Sequence, residues 1–365
     1  MNAINPWLTV RNMLVMRLDN AGDVVMLGPA LRAIKNSSPA TQITLLASPA
    51  GSKAAPLLPW IDDVLVWRAL WQDLGQLPFD PERERALIQL LADRAFDAAV
   101  IFTSFSQTPH ASAYACYLAG IPLRAGESKE FGGGALSTEL RGAPDALHQV
   151  DRNLRLVEHV GFLTCDNALK VVIPAASKEA IARRLLEHGI SPGQPLIVLH
   201  PGASAQARRY PAASYGEVAG ELQRQGWPLV LTGSERERET LDEVSLHTGM
   251  GLPVFTNLSI QEFAALITRA SVIVCGNTLP MHLADATRTP VVALYSGTDL
   301  QSQWQPRSTP ARLLRRPTPC TPCYRFSCPI GLPCLDVPAP EVVAAVAELS
   351  RRASRIGRHT LEVLR

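Results

Sequence analysis

The feature that most constrains this chain is a repeated alternation between short, continuous apolar segments and longer amphipathic ones. The short segments are rich in Val, Ile and Leu, a pattern typical of strands buried on both faces of a parallel sheet. The longer segments, at residues 24–35, 212–225 and 260–269, have helical periodicity. Alternation of this kind predicts doubly wound α/β domains. We predict strands at residues 13–17, 43–47, 64–67, 98–102, 196–200, 229–232, 272–275 and 291–295.

The length predicts two domains. A chain of 365 residues exceeds what one hydrophobic core organises, which is about 250–300 residues. A second strand and glycine-containing turn, LIVLHPGAS, begins at Leu196. We therefore expect two Rossmann-like domains facing each other across a cleft, residues 1–174 and 175–340. A basic helix at residues 341–365 would follow and pack back on the first domain. Ligands gather at the carboxyl ends of parallel strands, so the loops there should carry the chemistry.

Charge and hydropathy exclude several classes of protein. The net charge is +2, whereas a dedicated nucleic-acid-binding protein needs a strong basic excess. No apolar run reaches the roughly 18–20 residues that span a bilayer, and no secretory signal is visible. We expect a cytoplasmic protein that could contact the inner membrane as a peripheral protein. The basic side chains that would meet anionic lipid, or else form a solvated helix face, are Arg315, Arg316, Arg351, Arg352, Arg355 and Arg358.

The first glycine turn, RLDNAGD at residues 17–23, joins a strand to a helix that should start near Asp23. One interpretation makes Asp23 the N-cap of that helix, since Asp is a favoured capping residue. The other makes it a general base beside Gly22 at the mouth of the cleft. A helix N-terminus lowers the pKa of a carboxylate and so weakens it as a base, but a reaction that needs only modest base assistance would tolerate this.

Three loops of the second half have the composition of an anion and ribose site. In LHPGASAQARRYP, at residues 199–211, a small-residue turn would let backbone N–H groups approach a phosphate beside two arginines. In LTGSERERE, at residues 231–239, an acid could accept bonds from ribose hydroxyls. In VCGNTLPMHLADA, at residues 274–286, a helix start could hold phosphate. The candidate residues are His200, Gly202, Ser204, Arg208, Arg209, Gly233, Glu237, Asn277, Thr278, Leu279, Met281 and His282. Each loop alone could equally be a solvated turn or an ordinary helix start.

Four of the seven cysteines follow the pattern C-x2-C-x4-C-x5-C, namely Cys320, Cys323, Cys328 and Cys334. The first pair has good metal-ligand spacing and the second is looser than in a zinc ribbon. A structural Zn or Fe site at residues 320–334 and a loop of reduced thiols both remain open. We expect Cys116, Cys165 and Cys275 to be core residues.

Together, the turn at residues 17–35 and the three later loops resemble glycosyltransferase family 9, the heptosyltransferases of the lipopolysaccharide inner core. The resemblance implies a GT-B fold, an ADP-heptose donor bound mainly by the second domain, inversion at the anomeric carbon and a lipopolysaccharide-core acceptor. It implies that Asp23 is the base and that Glu237 is the ribose-side acid. It matches Ser204, Arg208 and Arg209 to the phosphate side, and it matches Asn277, Thr278 and His282 to the diphosphate loop.

Two positions depart from the family pattern. Leu279 stands where glycine is usual, which could crowd a diphosphate or require a different backbone angle. Arg208 stands where lysine is common. Alternatives therefore remain: transfer of another sugar, transfer to a protein or small metabolite, or a non-catalytic nucleotide-sugar-binding scaffold.

Overall fold

The computed structural model describes residues 5–73, 75–246, 248 and 251–363, with side chains described as far as Arg352. The chain divides into two compact units, Met1–Val172 and Ile173–Arg365. Each contains one six-stranded sheet in which every pairing is parallel. The α/β class with two Rossmann-like domains is thus confirmed.

In the first unit the strand order is β3-β2-β1-β4-β5-β6. The strands are β1 Asn12–Arg17, β2 Gln42–Ala47, β3 Asp63–Val66, β4 Ala98–Ile101, β5 Leu123–Glu127 and β6 Thr138–Leu140. The helices are α1 Ala21–Val25, α2 Gly28–Ser37, α3 Pro81–Asp93, α4 His110–Leu118 and α5 Gln149–His159. The central strand β1 is apolar and buried from Met13 onward, so it needs helices on both faces.

In the second unit the strand order is β12-β11-β10-β7-β8-β9. The strands are β7 Ile197–His200, β8 Leu229–Thr232, β9 Val254–Phe255, β10 Val272–Gly276, β11 Val291–Leu294 and β12 Ala311–Leu314. The helices are α6 Ala175–Glu187, α7 Ala212–Arg224, α8 Arg238–Leu246, α9 Ile260–Arg269, α10 Leu279–Thr287, α11 Gln301–Trp304 and α12 Ala339–Val363. The central strands β7, β10 and β11 are adjacent, so their carboxyl ends meet at one edge of the sheet.

All eight predicted strands are present, and β5, β6, β9 and β12 were missed. Three of these are edge strands, and two of the edge strands, β6 and β12, are only partly buried. They therefore lack a continuous apolar run. The predicted helix at residues 24–35 is in fact two helices, α1 and α2. Pro29 stands in the first turn of α2, where its ring prevents continuation of the preceding helix.

The described part of α12 packs within the second unit. Val342, Val346 and Leu349 have no exposed surface and join the core that also holds Ile197 and Val274. The expected packing of this helix on the first domain stays a prediction, because an apolar stripe alone does not say which core a helix covers. Across the described residues, no helix is long and apolar enough to cross a membrane.

Candidate functional site

In the first unit, Arg17 ends β1 with its side chain fully buried between two carboxylates. Its Nη2 lies 2.9 Å from Asp23 Oδ1, and its Nε lies 2.9 Å from Asp19 Oδ2. Nη2 also donates to Ser104 Oγ at 2.8 Å, across the carboxyl ends of the neighbouring strands β1 and β4. One guanidinium therefore serves two acids, and we name Arg17, Asp19 and Asp23 the acidic turn.

Asp23 has two simultaneous roles within this turn. The helix α1 begins at Ala21 with Asn20 as its N-cap, so Asp23 is the third helical residue and Gly22 lies inside the helix. The helix thus starts near Asp23 as predicted, but the interpretation of Asp23 as its N-cap is wrong, since that position belongs to Asn20. Asp23 Oδ2 accepts the Asn20 N–H at 3.1 Å, and the other oxygen faces Arg17. The side chain is 17% exposed, so it remains accessible to another molecule while its orientation is fixed.

Asp19 belongs to the acidic turn although sequence reasoning did not select it. Gln107 Nε2 donates to Asp19 Oδ1 at 2.5 Å. Burial raises the pKa of Asp19, Arg17 opposes the rise, and the charge of Asp23 adds to it. The available signal was the Arg-Leu-Asp run at the end of a predicted strand, which places two charged side chains at the carboxyl edge of the sheet.

In the second unit, Arg208 is the centre of a polar cluster contributed by loops after three adjacent strands. Its Nη2 lies 2.7 Å from Asp299 Oδ2, and its Nε donates to Thr298 Oγ1 at 3.1 Å. Asn277 follows β10 and accepts from the N–H and the hydroxyl of Ser296, both at 3.1 Å. The Asn277 amide reaches Asp299 at 3.5 Å. We call Arg208, Asn277, Ser296, Thr298 and Asp299 the arginine cluster.

The approach of these loops depends on Gly276. A Cβ atom at this position would lie 2.9 Å from the carbonyl oxygen of Arg208, closer than real contacts permit. Glycine thus lets the loop after β7 lie directly against the end of β10. Sequence reasoning selected Arg208 and Asn277 but not Ser296, Thr298 or Asp299. These three follow β11 in the run YSGTD, whose position after a predicted strand was the signal.

The other predicted arginine and serine differ from Arg208. Arg209 Nε donates to the carbonyl of Ala203 at 2.9 Å, so its guanidinium is used to close the small-residue turn. Ser204 is exposed on that turn, whereas Gly202 and Ala203 are buried. The two consecutive arginines therefore separate into one that binds the backbone and one at the centre of the arginine cluster.

His200 ends β7 and interacts electrostatically with Glu237, whose carboxylate borders Gly202. Burial lowers the pKa of His200 to about 4 from its ordinary value of 6.5, against the opposing charge of Glu237. The imidazole is therefore neutral at pH 7, with Nδ1 3.0 Å from Thr232 Oγ1. Glu237 Oε2 accepts from the backbone N–H and the hydroxyl of Ser234, both at 2.8 Å. A carboxylate thus stands at the carboxyl end of β8, just after Gly233, where the ribose-side acid was expected.

The helix α10 begins at Leu279, directly beyond the arginine cluster, with Thr278 as its N-cap. Among the described residues, the buried Thr278 Oγ1 has no hydrogen-bond partner. The φ angle of Leu279 is not positive, so this position does not need glycine for its backbone conformation. Met281 has no exposed surface, and His282 is buried with its ring 6.2 Å from that of Trp304. The start of α10 can therefore offer a hydroxyl and helix-end N–H groups to an anion.

The cysteine segment, residues 316–335, docks on these loops through its backbone. Cys323 N donates to Gly297 O at 3.0 Å, Tyr324 N to Thr298 O at 2.8 Å, and Ala207 N to Phe326 O at 2.9 Å. All seven cysteines are free thiols, and Cys165, expected in the core, is exposed. Within the described residues, no three His, Cys, Asp or Glu side chains stand close enough together to hold a metal ion. In this arrangement the four thiols are not gathered around one point, so their spacing in the sequence is the only argument for a metal.

Comparison with known proteins identifies relatives of this chain. The family model for glycosyltransferase family 9 (heptosyltransferase) matches residues 84–332. Lipopolysaccharide heptosyltransferase 2 of Salmonella typhimurium is 28% identical over 306 residues, covering 80% of this chain and 85% of that protein. A putative glycosyltransferase of Haemophilus influenzae is 24% identical over 313 residues, covering 81% of this chain and 86% of that protein.

Solved structures share the fold. The ADP-heptose lipopolysaccharide heptosyltransferase II of Escherichia coli has a TM-score of 0.75 at 22% identity, covering 94% of this chain and 99% of that one. The family 9 glycosyltransferase of Veillonella parvula has a TM-score of 0.76 at 19% identity, covering 94% and 98%. These likenesses confirm the GT-B class, and the family match covers more than half of the chain. The protein therefore belongs to glycosyltransferase family 9, the heptosyltransferase family.

Proposed function

We propose that this enzyme transfers a heptose from ADP-heptose to a hydroxyl of a lipopolysaccharide inner-core acceptor, with inversion at the anomeric carbon. The observation that carries the proposal is the arginine cluster beside the start of α10. There a guanidinium, a buried hydroxyl without a partner and a helix N-terminus follow adjacent parallel strands. Relatives named for heptosyl transfer to lipopolysaccharide, and a neighbour described as using ADP-heptose, support the donor and the acceptor.

The second unit would bind the donor. Arg208 and the N–H groups at the start of α10 would stabilise the negative charge that develops on the departing ADP. Thr278 Oγ1 would donate to a phosphate oxygen, which would give this buried hydroxyl its partner. Glu237, already oriented by Ser234, would accept a hydrogen bond from the ribose. The neutral His200 would supply no positive charge and would pack beside the turn.

The acidic turn of the first unit would supply the base. Asp23 would take the proton of the acceptor hydroxyl as the oxygen attacks the anomeric carbon. The bond from that carbon to the diphosphate oxygen would break, and the electron pair would leave with ADP. Because Arg17 is shared with Asp19, one guanidinium must neutralise two carboxylates. The turn therefore retains negative charge for proton abstraction.

A donor screen tests the proposal. The purified protein would be mixed with ADP-heptose, UDP-sugars and GDP-sugars, and both thermal unfolding and nucleotide release would be measured with and without heptose-deficient lipopolysaccharide. We expect stabilisation by ADP-heptose, about 2.7 kcal/mol at a concentration of 100 Kd, and acceptor-dependent release of ADP. Stabilisation by a UDP- or GDP-sugar alone would overturn the donor. Binding with no turnover on any acceptor would indicate a scaffold.

The cysteine segment is also part of the proposal. We propose a structural Zn or Fe on Cys320, Cys323, Cys328 and Cys334 from their spacing alone, to be tested by metal analysis of protein purified without chelators. We expect about one ion per chain, and protein purified without any bound metal would contradict the proposed metal site.

We also propose a cytoplasmic enzyme that meets the inner-membrane surface through basic side chains. Arg316 and Arg352 are already paired, with Glu341 and Glu348, while the side chains of Arg355 and Arg358 lie outside the described residues. Sedimentation with anionic vesicles, compared with neutral ones, tests the contact. Equal recovery with both would contradict it.

A further inference from the structure

Asp299 holds the cation that the proposed function assigns to the diphosphate. Its Oδ2 is 2.7 Å from Arg208 Nη2, 2.6 Å from Thr298 Oγ1 and 3.5 Å from Asn277 Nδ2. The Asp299 side chain is only 12% exposed, against 30% for Arg208. The carboxylate therefore occupies, as an internal anion, a position on Arg208 that a phosphate oxygen would also require.

The backbone around Asp299 is anchored from several directions. The Ser296 N–H and hydroxyl both donate to Asn277 Oδ1. The cysteine segment binds the carbonyls of Gly297 and Thr298, through the N–H groups of Cys323 and Tyr324. A main chain held in this way stays in place when a side chain turns. The Asp299 carboxylate can thus leave Arg208 by rotation of its own side chain, without movement of the loop.

We propose that Asp299 is a positioning residue that orients Arg208 and competes with the donor diphosphate for it. The inference rests on the proposed function, which places the diphosphate at Arg208. When ADP or its sugar binds, Arg208 moves from the carboxylate to a phosphate oxygen. After transfer, the carboxylate takes Arg208 back and so speeds the release of ADP. Asp299 thus weakens nucleotide binding, and the faster release of ADP allows the next donor to bind.

The test is the affinity of Asp299→Asn for ADP, measured by calorimetry, together with the rate of ADP dissociation. Asn is nearly isosteric and removes the competing charge, so ADP should bind about tenfold more tightly, equivalent to about 1.4 kcal/mol. ADP should also leave more slowly. A residue that only supported the loop would have the opposite effect, because Arg208 would lose its anchor and ADP would bind more weakly. Unchanged or weaker ADP binding overturns the proposal.

Two further variants make the result specific. Glu348→Gln removes a carboxylate of the same unit that pairs with Arg312, and should leave ADP affinity unchanged. In Arg208→Gln with Asp299→Asn, the gain should disappear because no guanidinium is left to release. A gain that persists in this double variant contradicts competition for Arg208. Asp299→Ser repeats the test if Asp299→Asn does not fold.

The outcome is separable from that of the proposed function. If the wild-type protein binds GDP or UDP in place of ADP, the proposed donor fails, and the same variants compared with that nucleotide still test Asp299. If ADP binds the wild type and Asp299→Asn binds it less tightly, the donor stands and the role of Asp299 fails.

Discussion

The acidic turn of the first unit and the arginine cluster of the second are built on the same plan but differ in charge balance. Each places an arginine at the carboxyl edge of a parallel sheet. Arg17 is fully buried between two carboxylates, whereas Arg208 is 30% exposed and pairs with one. The first site therefore has one more acid than cations, whereas among the described residues Arg208 pairs with a single carboxylate, which we propose a phosphate can replace.

In the proposed reaction, this difference would assign proton acceptance to the first unit and binding of the diphosphate to the second. A surplus carboxylate held in fixed orientation is suited to accept a proton. A partly exposed guanidinium beside a helix N-terminus is suited to bind an anion that arrives and departs. The fold supplies the same sheet edge in both units, so the chemistry depends on which side chains the loops contribute.

The largest expected effect comes from Asp23 in the acidic turn. Asp23→Asn keeps an acceptor for the Asn20 N–H and removes the negative charge. We expect kcat to fall about 100- to 10,000-fold, because the base is lost, with ADP affinity unchanged. Steady-state kinetics and calorimetry measure the two quantities. Asp63→Asn, an exposed carboxylate of the same unit that pairs with Arg94, is the matched control. A kcat within threefold of wild type would show that Asp23 is not the base.

Removal of the Arg208 guanidinium should have the next largest effect. Arg208→Gln should weaken ADP binding about 100-fold, since charge-assisted hydrogen bonds to a phosphate are lost. Arg209→Gln should cost about tenfold or less, because the Arg209 guanidinium is used to bind the Ala203 carbonyl. Isothermal titration with ADP gives both affinities. Equal losses in the two variants would contradict the division of roles between these neighbours.

A pH experiment tests whether His200 is neutral, which would leave Arg208 as the cation proposed to bind the diphosphate. The folded pKa of His200, about 4, lies below its ordinary 6.5, so its contribution to stability is present above pH 6.5 and is lost as the pH falls towards 4. Wild-type unfolding free energy should exceed that of His200→Gln by about 2 kcal/mol more at pH 7.5 than at pH 4.5. Urea unfolding at the two pH values measures this. Parallel pH profiles would mean that His200 is not held neutral.

The smallest expected effect comes from Gly202, which borders the Glu237 carboxylate. A Cβ atom at Gly202 would lie 2.2 Å from Glu237 Oε1, so Gly202→Ala should displace Glu237 from Ser234. Loss of this cap should cost about 1 kcal/mol, lowering Tm by about 2–4 °C. Calorimetry of Gly202→Ala in the Glu237→Ala background provides the control. The second substitution should then add almost nothing, and full additivity would rule out the steric explanation.

The sequence by itself determined the class of fold, and it selected Asp23, Arg208 and Asn277 from the residues of the two clusters. Continuous apolar runs such as Leu229–Thr232 are buried on both faces wherever they pack, so they predict central parallel strands without further context. Loops that follow such strands must meet at one edge, and this placed Arg208 and Asn277 in one site. Edge strands such as Ala311–Leu314 escaped prediction because partial burial leaves no continuous apolar pattern.

Only the tertiary structure decided the partners of the charges. Asp299 is an ordinary loop acid in the sequence, and it acquires a role because the fold brings Arg208, from a distant part of the chain, within 3 Å. The same holds for the four cysteines, whose spacing suggested a metal site but whose described side chains do not gather into one. Local pattern reports burial and backbone preference. Charge pairing depends on distances between segments far apart in the chain, and these exist only once the sheet has formed.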